Sequence, residues 1–396
     1  MASSPVQHVT YGELVRLFVR MSLQSFGGPA AHLAMAEDEI VTRRQWLTRA
    51  EFLDMVAATN LIPGPNSTET MIHVGHKMRG IPGAIVAGAC FIIPAMLITL
   101  VLTMLYVQYG AVPEVGSMLW GIQPVIVAII AVAAYRLIPV GLKNVLLQSL
   151  FIVVLLLLYF TPIPEVLVML GGGVVYAVAT TLRARPTIAP ALLLPLLGLP
   201  QLVQTAVTAV TPTVLDVFWY FLRIGSILFG SGYVLISYLQ DDLVLNLGWL
   251  TNRQLLDTIA IGQFTPGPVL TTATAVGYVV GGIPAALVAT FAIFLPAFVL
   301  VIATAPLIPK MRSSRFFSAF LDGVNAATIA AILVALIRLA SEAFSPLEPG
   351  ELAIGGVGLV PVALAIVTAL GMVRFRRNAT WFVVLGAVLG IALGLL

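Results

Sequence analysis

Two copies of one tripeptide carry the chemistry of this sequence. Pro63-Gly64-Pro65 precedes Asn66, Ser67 and Thr68, and Pro266-Gly267-Pro268 precedes Val269, Leu270 and Thr271. Proline is favoured in the first turn of a helix, where its missing N–H has no helical partner to lose. Pro65 and Pro268 are therefore expected helix starts, with Gly64 and Gly267 supplying the tight turn. The amides of the three residues after each turn then lack helical carbonyls to bond. Such a helix start carries roughly +0.5 of an elementary charge and can hold an oxyanion without a basic side chain. An anion is expected against both sets of amides. A helix kink without a ligand is the bland alternative. The threonine retained three residues after the tripeptide in both copies, Thr68 and Thr271, argues against it.

Other residues could complete such a site. Phe26-Gly27-Gly28-Pro29 and Phe229-Gly230-Ser231-Gly232 are a second pair of breaks, read as lying inside the first span of each half, with the Ser25 hydroxyl nearby. Close helix packing explains such glycines equally well. Arg20 and Arg223 precede these breaks. An arginine within a membrane segment is costly and is a functional candidate by default; snorkelling, or pairing with Asp54 and Asp257, is the structural alternative. One arginine plus two helix termini supplies about two positive charges, enough to balance a dianion. Arg20 is the expected cation, and Arg223 is expected to matter less. Glu69, His73 and His76 occur only in the first copy. Glu69 and His73, with Asp54 and Asp257, are candidates for carrying a coupling proton, and polar lining is their plainer role.

The elements that must position these groups are membrane helices. Of 396 residues, 60% are hydrophobic and only 9% charged, with a mean hydropathy of +1.05. A soluble domain carries about 25% charged residues. Apolar runs at 81–107, 115–135, 283–305 and 320–339 are each long enough to cross about 30 Å of hydrocarbon as a helix. A net charge of +3, spread over short clusters, suits topology setting rather than nucleic-acid binding. Cys90 is the only cysteine, so no disulfide framework, cysteine metal site or cofactor is expected. The first 17 residues lack the pattern of a cleaved signal peptide.

The chain repeats itself. Phe18-Val19-Arg20 matches Phe221-Leu222-Arg223, Trp46-Leu47-Thr48 matches Trp249-Leu250-Thr251, and Asp54 matches Asp257; each pair is 203 positions apart, like the two tripeptides. One deletion shifts the offset to 202, which aligns Ile81-Pro82 with Ile283-Pro284, Pro94 with Pro296, Gly121 with Gly323 and Arg136 with Arg338. Two repeats are expected, at 1–200 and 201–396.

Positive charge suggests that they are inverted. Arg43, Arg44, Arg49, Lys77 and Arg79 flank the first tripeptide segment, whereas the loop at 241–249 before the second has two acids and no base. Lys310, Arg312 and Arg315 correspond to an uncharged first-half loop near Gly110. If basic loops are cytoplasmic, the halves run antiparallel. The segments 51–79 and 254–281 are then re-entrant hairpins entering from opposite sides, with both tripeptides near the bilayer midplane. The fold expected is an all-α polytopic membrane protein of about ten transmembrane helices plus two re-entrant helical hairpins. A further crossing within 187–215 would change that count. Broken segments at matching places in inverted repeats are the usual mark of a transporter's central site.

These motifs resemble the chromate ion transporter family in its long, two-domain form. The resemblance rests on Phe26-Gly27-Gly28-Pro29, Trp46-Leu47 with Glu51-Phe52 and Asp54, Asn60-Leu61-Ile62-Pro63-Gly64-Pro65-Asn66, and Gly80-Ile81-Pro82-Gly83 leading to Pro94. In the second half it rests on Phe229-Gly230-Ser231-Gly232, Trp249-Leu250 and Gln263-Phe264-Thr265-Pro266-Gly267-Pro268. It spans nearly the whole chain. It implies secondary active export of chromate across the bacterial inner membrane, chromate resistance, and sulfate as the competing tetrahedral dianion. It also implies that Arg20, Phe26, Gly27, Gly28, Pro29, Trp46, Asp54, Pro63, Gly64, Pro65 and Asn66 matter. The second copy departs at Ser231, Gly232 and Val269, so the copies are expected to be unequal.

The expected partners are chromate or sulfate and membrane lipid, with a homodimer as an assembly to test. Transport of sulfate or another oxyanion is an alternative, because the residues alone do not separate these anions. A membrane enzyme or flippase acting on phosphorylated lipid is a second. It would need clustered acids or an arginine-serine pair beside each turn, and Glu69 is the only acid close to either. A channel would need a continuous polar path, which midplane breaks do not favour.

Overall fold

The structure, a computed structural model, describes residues 9–25, 28–59, 61–110, 112–161, 163–183, 212–229, 232–304, 314–344, 353–354, 357–375 and 379–394. The possible crossing within 187–215 lies almost entirely outside them. The first half contains α1 (Tyr11–Gln24), α2 (Pro29–Ala36) running into a π-helical turn (Glu37–Arg43), α3 (Arg49–Thr59), α4 (Asn66–Tyr109), α5 (Pro113–Gly141), α6 (Val145–Phe160) and α7 (Glu165–Arg183). The second contains α8 (Val214–Ile227), α9 (Val234–Tyr238) with its π-helical turn (Leu239–Asn246), α10 (Asn252–Phe264), a 3₁₀ turn (Val269–Thr271) and α11 (Thr272–Thr304). It ends with α12 (Arg315–Ala343), α13 (Leu359–Arg374) and α14 (Ala379–Gly394). A two-residue antiparallel pairing of Ala353–Ile354 with Val357–Gly358 is the one β element among the described residues.

The sequence repeat recurs in local geometry. Thr10 and Glu13 close a capping box at α1, and Thr213 and Asp216 close the same box at α8. Each box satisfies two amides that a helix start would leave unpaired. The box before α10 joins Thr251 to Gln254, and Thr48 and Glu51 form its counterpart before α3. The chain leaves the two π turns through a left-handed residue, Gln45 (φ 53°) in one copy and Gly248 (φ 62°) in the other.

Two kinds of reversal shape each half. Thr59 and Thr70 hydroxyls approach to 3.4 Å across the first tripeptide, and a Cβ on Gly262 would lie 2.2 Å from Thr272 Oγ1 across the second. Each tripeptide therefore folds two helical arms onto each other. A second reversal follows inside α4, at Arg79 and Gly80, where Gly80 adopts φ 63°; in α11 it falls at Gly281 and Gly282 (φ 69°). A Cβ on Gly75 would meet the Gly83 carbonyl oxygen at 2.3 Å, although eight residues of straight helix span about 12 Å. α4 is thus an arm folded back on a long apolar helix. The matching reversal brings Thr274 and Thr290 hydroxyls to 2.7 Å.

The breaks at residues 26–28 and 229–232 were expected inside continuous spans, and the structure corrects this. Arg20 pairs with Glu39, Tyr220 donates to the Tyr238 carbonyl at 3.3 Å, and the Tyr220 and Trp249 rings lie 5.9 Å apart. A straight helix would hold Arg20 and Glu39 about 28 Å apart, so α1 and α8 turn back rather than cross. Eight described helical segments have the apolar character of spans. Five lie in helices of at least 18 residues, and three are shorter: 145–160, 359–374 and 379–393. α1 and α8, which the expected ten include, are not among these described segments.

The halves exchange their last hairpins. α5 packs against α13 and α14, and α12 packs against α6 and α7. Small residues permit this closeness: a Cβ on Gly121 would fall 2.2 Å from the Gly386 carbonyl oxygen, and one on Gly323 2.8 Å from that of Gly172. Arg136 donates to the Met372 carbonyl and Arg338 to that of Leu158, both at 3.2 Å. The outward surface is apolar, with Phe160, Phe291 and Leu370 more than half exposed, as lipid contact requires.

Candidate functional site

The two tripeptide turns are locked to opposite halves. Gly64 donates its N–H to the Leu228 carbonyl at 2.6 Å, and Gly267 donates to the Ser25 carbonyl at 3.0 Å. Leu228 and Ser25 are the C-caps of α8 and α1, so each turn closes the end of the other half's first helix. Both glycines have positive φ, 145° and 99°, where a side chain is strained. A Cβ on Gly64 would lie 2.2 Å from Glu69 Oε1, and one on Gly267 2.6 Å from Ala95 Cβ and 3.3 Å from Ser22 Oγ. The break after α1 joins the same region, since a Cβ on Gly28 would sit 3.3 Å from Tyr233 Oη.

Buried polar atoms without a protein partner are concentrated on the elements that meet there. They are Ser22 Oγ, Ser25 Oγ, His32 Nε2, Thr68 Oγ1, both Glu69 carboxylate oxygens, Thr99 Oγ1 and Gln263 Nε2. Buried polar groups are nearly always satisfied by protein, water or ligand, so such a concentration is where a polar guest belongs. His32 Nδ1 lies 3.3 Å from Ser67 Oγ, and its ring meets Phe91 edge-on. Chemically the first turn offers helix-start amides, the Ser67 and Thr68 hydroxyls and the buried His32 imidazole, with Glu69 alongside.

The second turn is tighter, and the unpartnered hydroxyls beside it, Ser22 and Ser25, come from α1 of the other half. Thr271 N–H donates to the Pro268 carbonyl at 3.0 Å, closing the 3₁₀ turn, and the Thr271 and Thr272 hydroxyls also bond backbone carbonyls. This corrects the expectation of three free amides, because the Thr271 amide is already used. The Val269 and Leu270 side chains beside it are buried and apolar.

The remaining expected residues are placed as follows. Arg20 pairs with Glu39, which Arg43 and Arg44 also approach at 3.3 and 3.5 Å; Arg223 pairs with Asp242 at 2.6 Å. Pairing with Asp54 and Asp257 is thereby corrected: the fold-back after α1 and α8 delivers a nearer acid. Asp54 is exposed and interacts with a neighbour, while Asp257 is buried and accepts from Tyr106 Oη and Gln123 Nε2, both at 3.0 Å. His73 is half-buried on the first arm. Pro63, Pro65, Pro266 and Pro268 flank the two turns, Asn66 begins the first arm and has a partner, and Gly27 and Gly230 lie outside the described residues.

Sequence reasoning missed Ser22, His32, Thr99 and Gln263. His32 follows Pro29 by one helical turn, a signal visible once a helix starts there; Ser22 and Thr99 have none. At the mouth of the first hairpin, Lys77 Nζ donates to Glu51 at 2.8 Å. That bond, with the Thr48 cap, holds the Glu51 carboxyl down at about 2.

A family profile described as chromate transporter matches residues 12–177 and 215–391. A chromate transport protein of Cupriavidus metallidurans is 30% identical over 393 residues, covering 96% of this chain and 92% of that protein. A probable chromate transport protein of Synechococcus elongatus is 30% identical over 85% of this chain and 86% of its own length. A chromate transport protein of Pseudomonas aeruginosa is 30% identical over 84% and 82%. No solved structure matches.

Proposed function

The chain belongs to the chromate transporter family, and from that premise we propose that it carries chromate through an alternating-access site between its two tripeptide turns. It is a multi-pass membrane protein and a chromate transporter rather than an enzyme. The observation carrying the site is the reciprocal bonding of Gly64 to Leu228 and Gly267 to Ser25, amid buried polar atoms with no partner. A tetrahedral dianion needs several donors and little fixed charge, so that it can leave as well as bind. Helix-start amides and hydroxyls provide this. Sulfate, of the same shape and charge, is the expected competitor.

The two repeats, 1–200 and 201–396, are proposed to be inverted, with re-entrant hairpins meeting from opposite faces. Two groups of contacts support this reading. Arg79 at one reversal touches Val9 and Tyr11, and Lys143 pairs with Asp322. α4, α5 and α6 follow one another through short connections and so run alternately up and down, with these contacts at one end. Tyr106 with Asp257, Ser237 with Glu165 and Arg338 with Asp241 form the other end. The first end holds Arg43, Arg44, Arg49, Lys77, Arg79, Lys143 and Arg374, and is assigned to the cytoplasm. The membrane is proposed to be the bacterial inner membrane, and the direction export.

Arg20, committed to Glu39, steers anions toward the site from that end rather than touching them. Glu69, whose carboxylate abuts the first turn without a donor, is the proposed proton-linked group, ahead of His73, Asp54 and Asp257. Chromate uptake into everted vesicles, with pH gradient and membrane potential collapsed separately, tests the function. Uptake that sulfate inhibits and Gly64→Val abolishes is expected. Uptake unchanged in both Gly64→Val and Gly267→Val refutes the site.

A further inference from the structure

Away from the two turns, a cavity of about 540 Å³ opens between the end of α4, the start of α5 and the start of α10. Its polar lining is Tyr106, Arg253, Gln254 and Asp257, and Val107 and Val279 contribute apolar wall. Asp257 is buried and both its oxygens are engaged, by Tyr106 and Gln123, so it is not free to pair with a guest. Arg253 is exposed and makes no ion pair among the described residues. It stands in the first turn of α10, where the helix dipole disfavours a cation and favours an anion. Asp257, one turn further on, is already held by its two donors, so the Arg253 guanidinium is left to face a guest in the chamber.

The other repeat shows what a closed version looks like. Position 253 corresponds to Ala50, 254 to Glu51 and 279 to Lys77. In the first half Lys77 reaches Glu51 at 2.8 Å and bridges the hairpin mouth. In the second, Val279 cannot reach across to Gln254, and Arg253 stands at the mouth one turn from Asp257, whose oxygens are already held by Tyr106 and Gln123. One hairpin mouth is therefore bridged by an ion pair, and the other is an open chamber with Arg253 at its rim.

We propose that this chamber is a second, outer oxyanion site, in which Arg253 supplies the charge and the Gln254 side-chain amide supplies a donor, with Tyr106 turned away to hold Asp257. It lies about 14 Å along α10 from the second turn, by the rise from Asp257 to Pro266, and serves as the antechamber through which a tetrahedral dianion passes on the face opposite the basic loops. This rests on the transporter reading above. A free oxyanion and a lipid phosphate share the required chemistry, and the free oxyanion is the occupant inferred, because the chamber lies in line with the central turn.

The test uses full-length protein with Cys90→Ala and Gly116→Cys. Gly116 lines the chamber, and an added Cβ there meets nothing within 4 Å. The protein is reconstituted in phosphatidylethanolamine vesicles with or without phosphatidylglycerol and labelled with a maleimide in rising sulfate, which unlike chromate does not oxidise thiols. Sulfate should slow labelling severalfold. Arg253→Gln should remove that protection and Arg253→Lys keep part of it, with the half-saturating chromate for transport raised about tenfold in Arg253→Gln and the maximal rate little changed. Protection should persist in a Gly64→Val background that no longer transports, which separates the outer site from the central one. Sulfate protection that is absent, or equal with and without Arg253, overturns the proposal. So does protection that follows phosphatidylglycerol and ignores sulfate, which assigns the chamber to lipid.

Discussion

The two tripeptide turns share a backbone and differ in nearly everything attached to it. Both put glycine at positive φ, both fold two helical arms together, and both donate the glycine N–H to the C-cap of the opposite half's first helix. Beyond that they part. The first opens into an α-helix with Ser67, Thr68 and Glu69 buried beside it, and Thr68 and Glu69 lack partners; the second tightens into a 3₁₀ turn whose threonines bond their own backbone. The frame is common to both, whereas the turn residues themselves are polar in the first copy and largely apolar in the second, where the nearby unpartnered hydroxyls of Ser22 and Ser25 come from α1. The proposed anion site need not treat its two turns alike: one can supply recognition while the other supplies closure.

The largest effects should come from what the turns share. Gly64→Val and Gly267→Val each force a side chain into positive φ and into contact, costing about 1–3 kcal/mol in backbone strain alone. Both should abolish chromate transport, and a second-turn variant with full activity would end the idea that the frames are equivalent. Next come the groups they do not share. Glu69→Gln should lower transport about tenfold and flatten its pH profile in everted vesicles, whereas Thr272→Val at the matching position should stay within about twofold; each tenfold is about 1.4 kcal/mol. Equal effects would mean that the chemistry, too, is symmetric.

Smaller effects are expected at the paired arginines. Arg223→Ala leaves Asp242 without its guanidinium partner, while Arg20→Ala leaves Glu39 with Arg43 and Arg44. Thermal unfolding in detergent should therefore show a larger loss for Arg223→Ala, by about 1–2 kcal/mol. The smallest effect belongs to the half-exposed Glu51–Lys77 pair, where Lys77→Met should cost under about 1 kcal/mol. Its sign with pH is fixed. The Glu51 carboxyl is held at about 2 against an ordinary 4.5, so its contribution is complete above pH 4.5 and fades as pH falls toward 2. The difference between wild type and Lys77→Met should shrink over that interval, and a difference growing on acidification would contradict the pairing.

Much of this was legible in the sequence. Tryptophan, aspartate, arginine and Pro-Gly-Pro recur at a fixed offset too seldom by chance to be missed, and helix-start chemistry follows from proline and glycine alone. What stayed hidden depends on direction. Phe26-Gly27-Gly28-Pro29 announces a break but not whether the chain bends or reverses, so the sequence does not point to Glu39 as the partner of Arg20. Likewise, nothing in the apolar runs of α5 and α12 tells which hairpin they will meet, because leucine and valine pack on either. Gly121 against Gly386 is the kind of contact that carries the choice, and single glycines in apolar sequence are silent until the neighbour is known.

The exchanged hairpins set the order in which the molecule can be made. α5 is inserted early in synthesis, yet the surface around Gly121 finds its partner only when α14, among the last segments translated, arrives. Until then a small-residue face stands open in the bilayer, available to lipid or to the translocation machinery. Neither half is a self-sufficient folding unit on this account. Two half-chains expressed separately should be degraded, and the same halves expressed together should rescue each other.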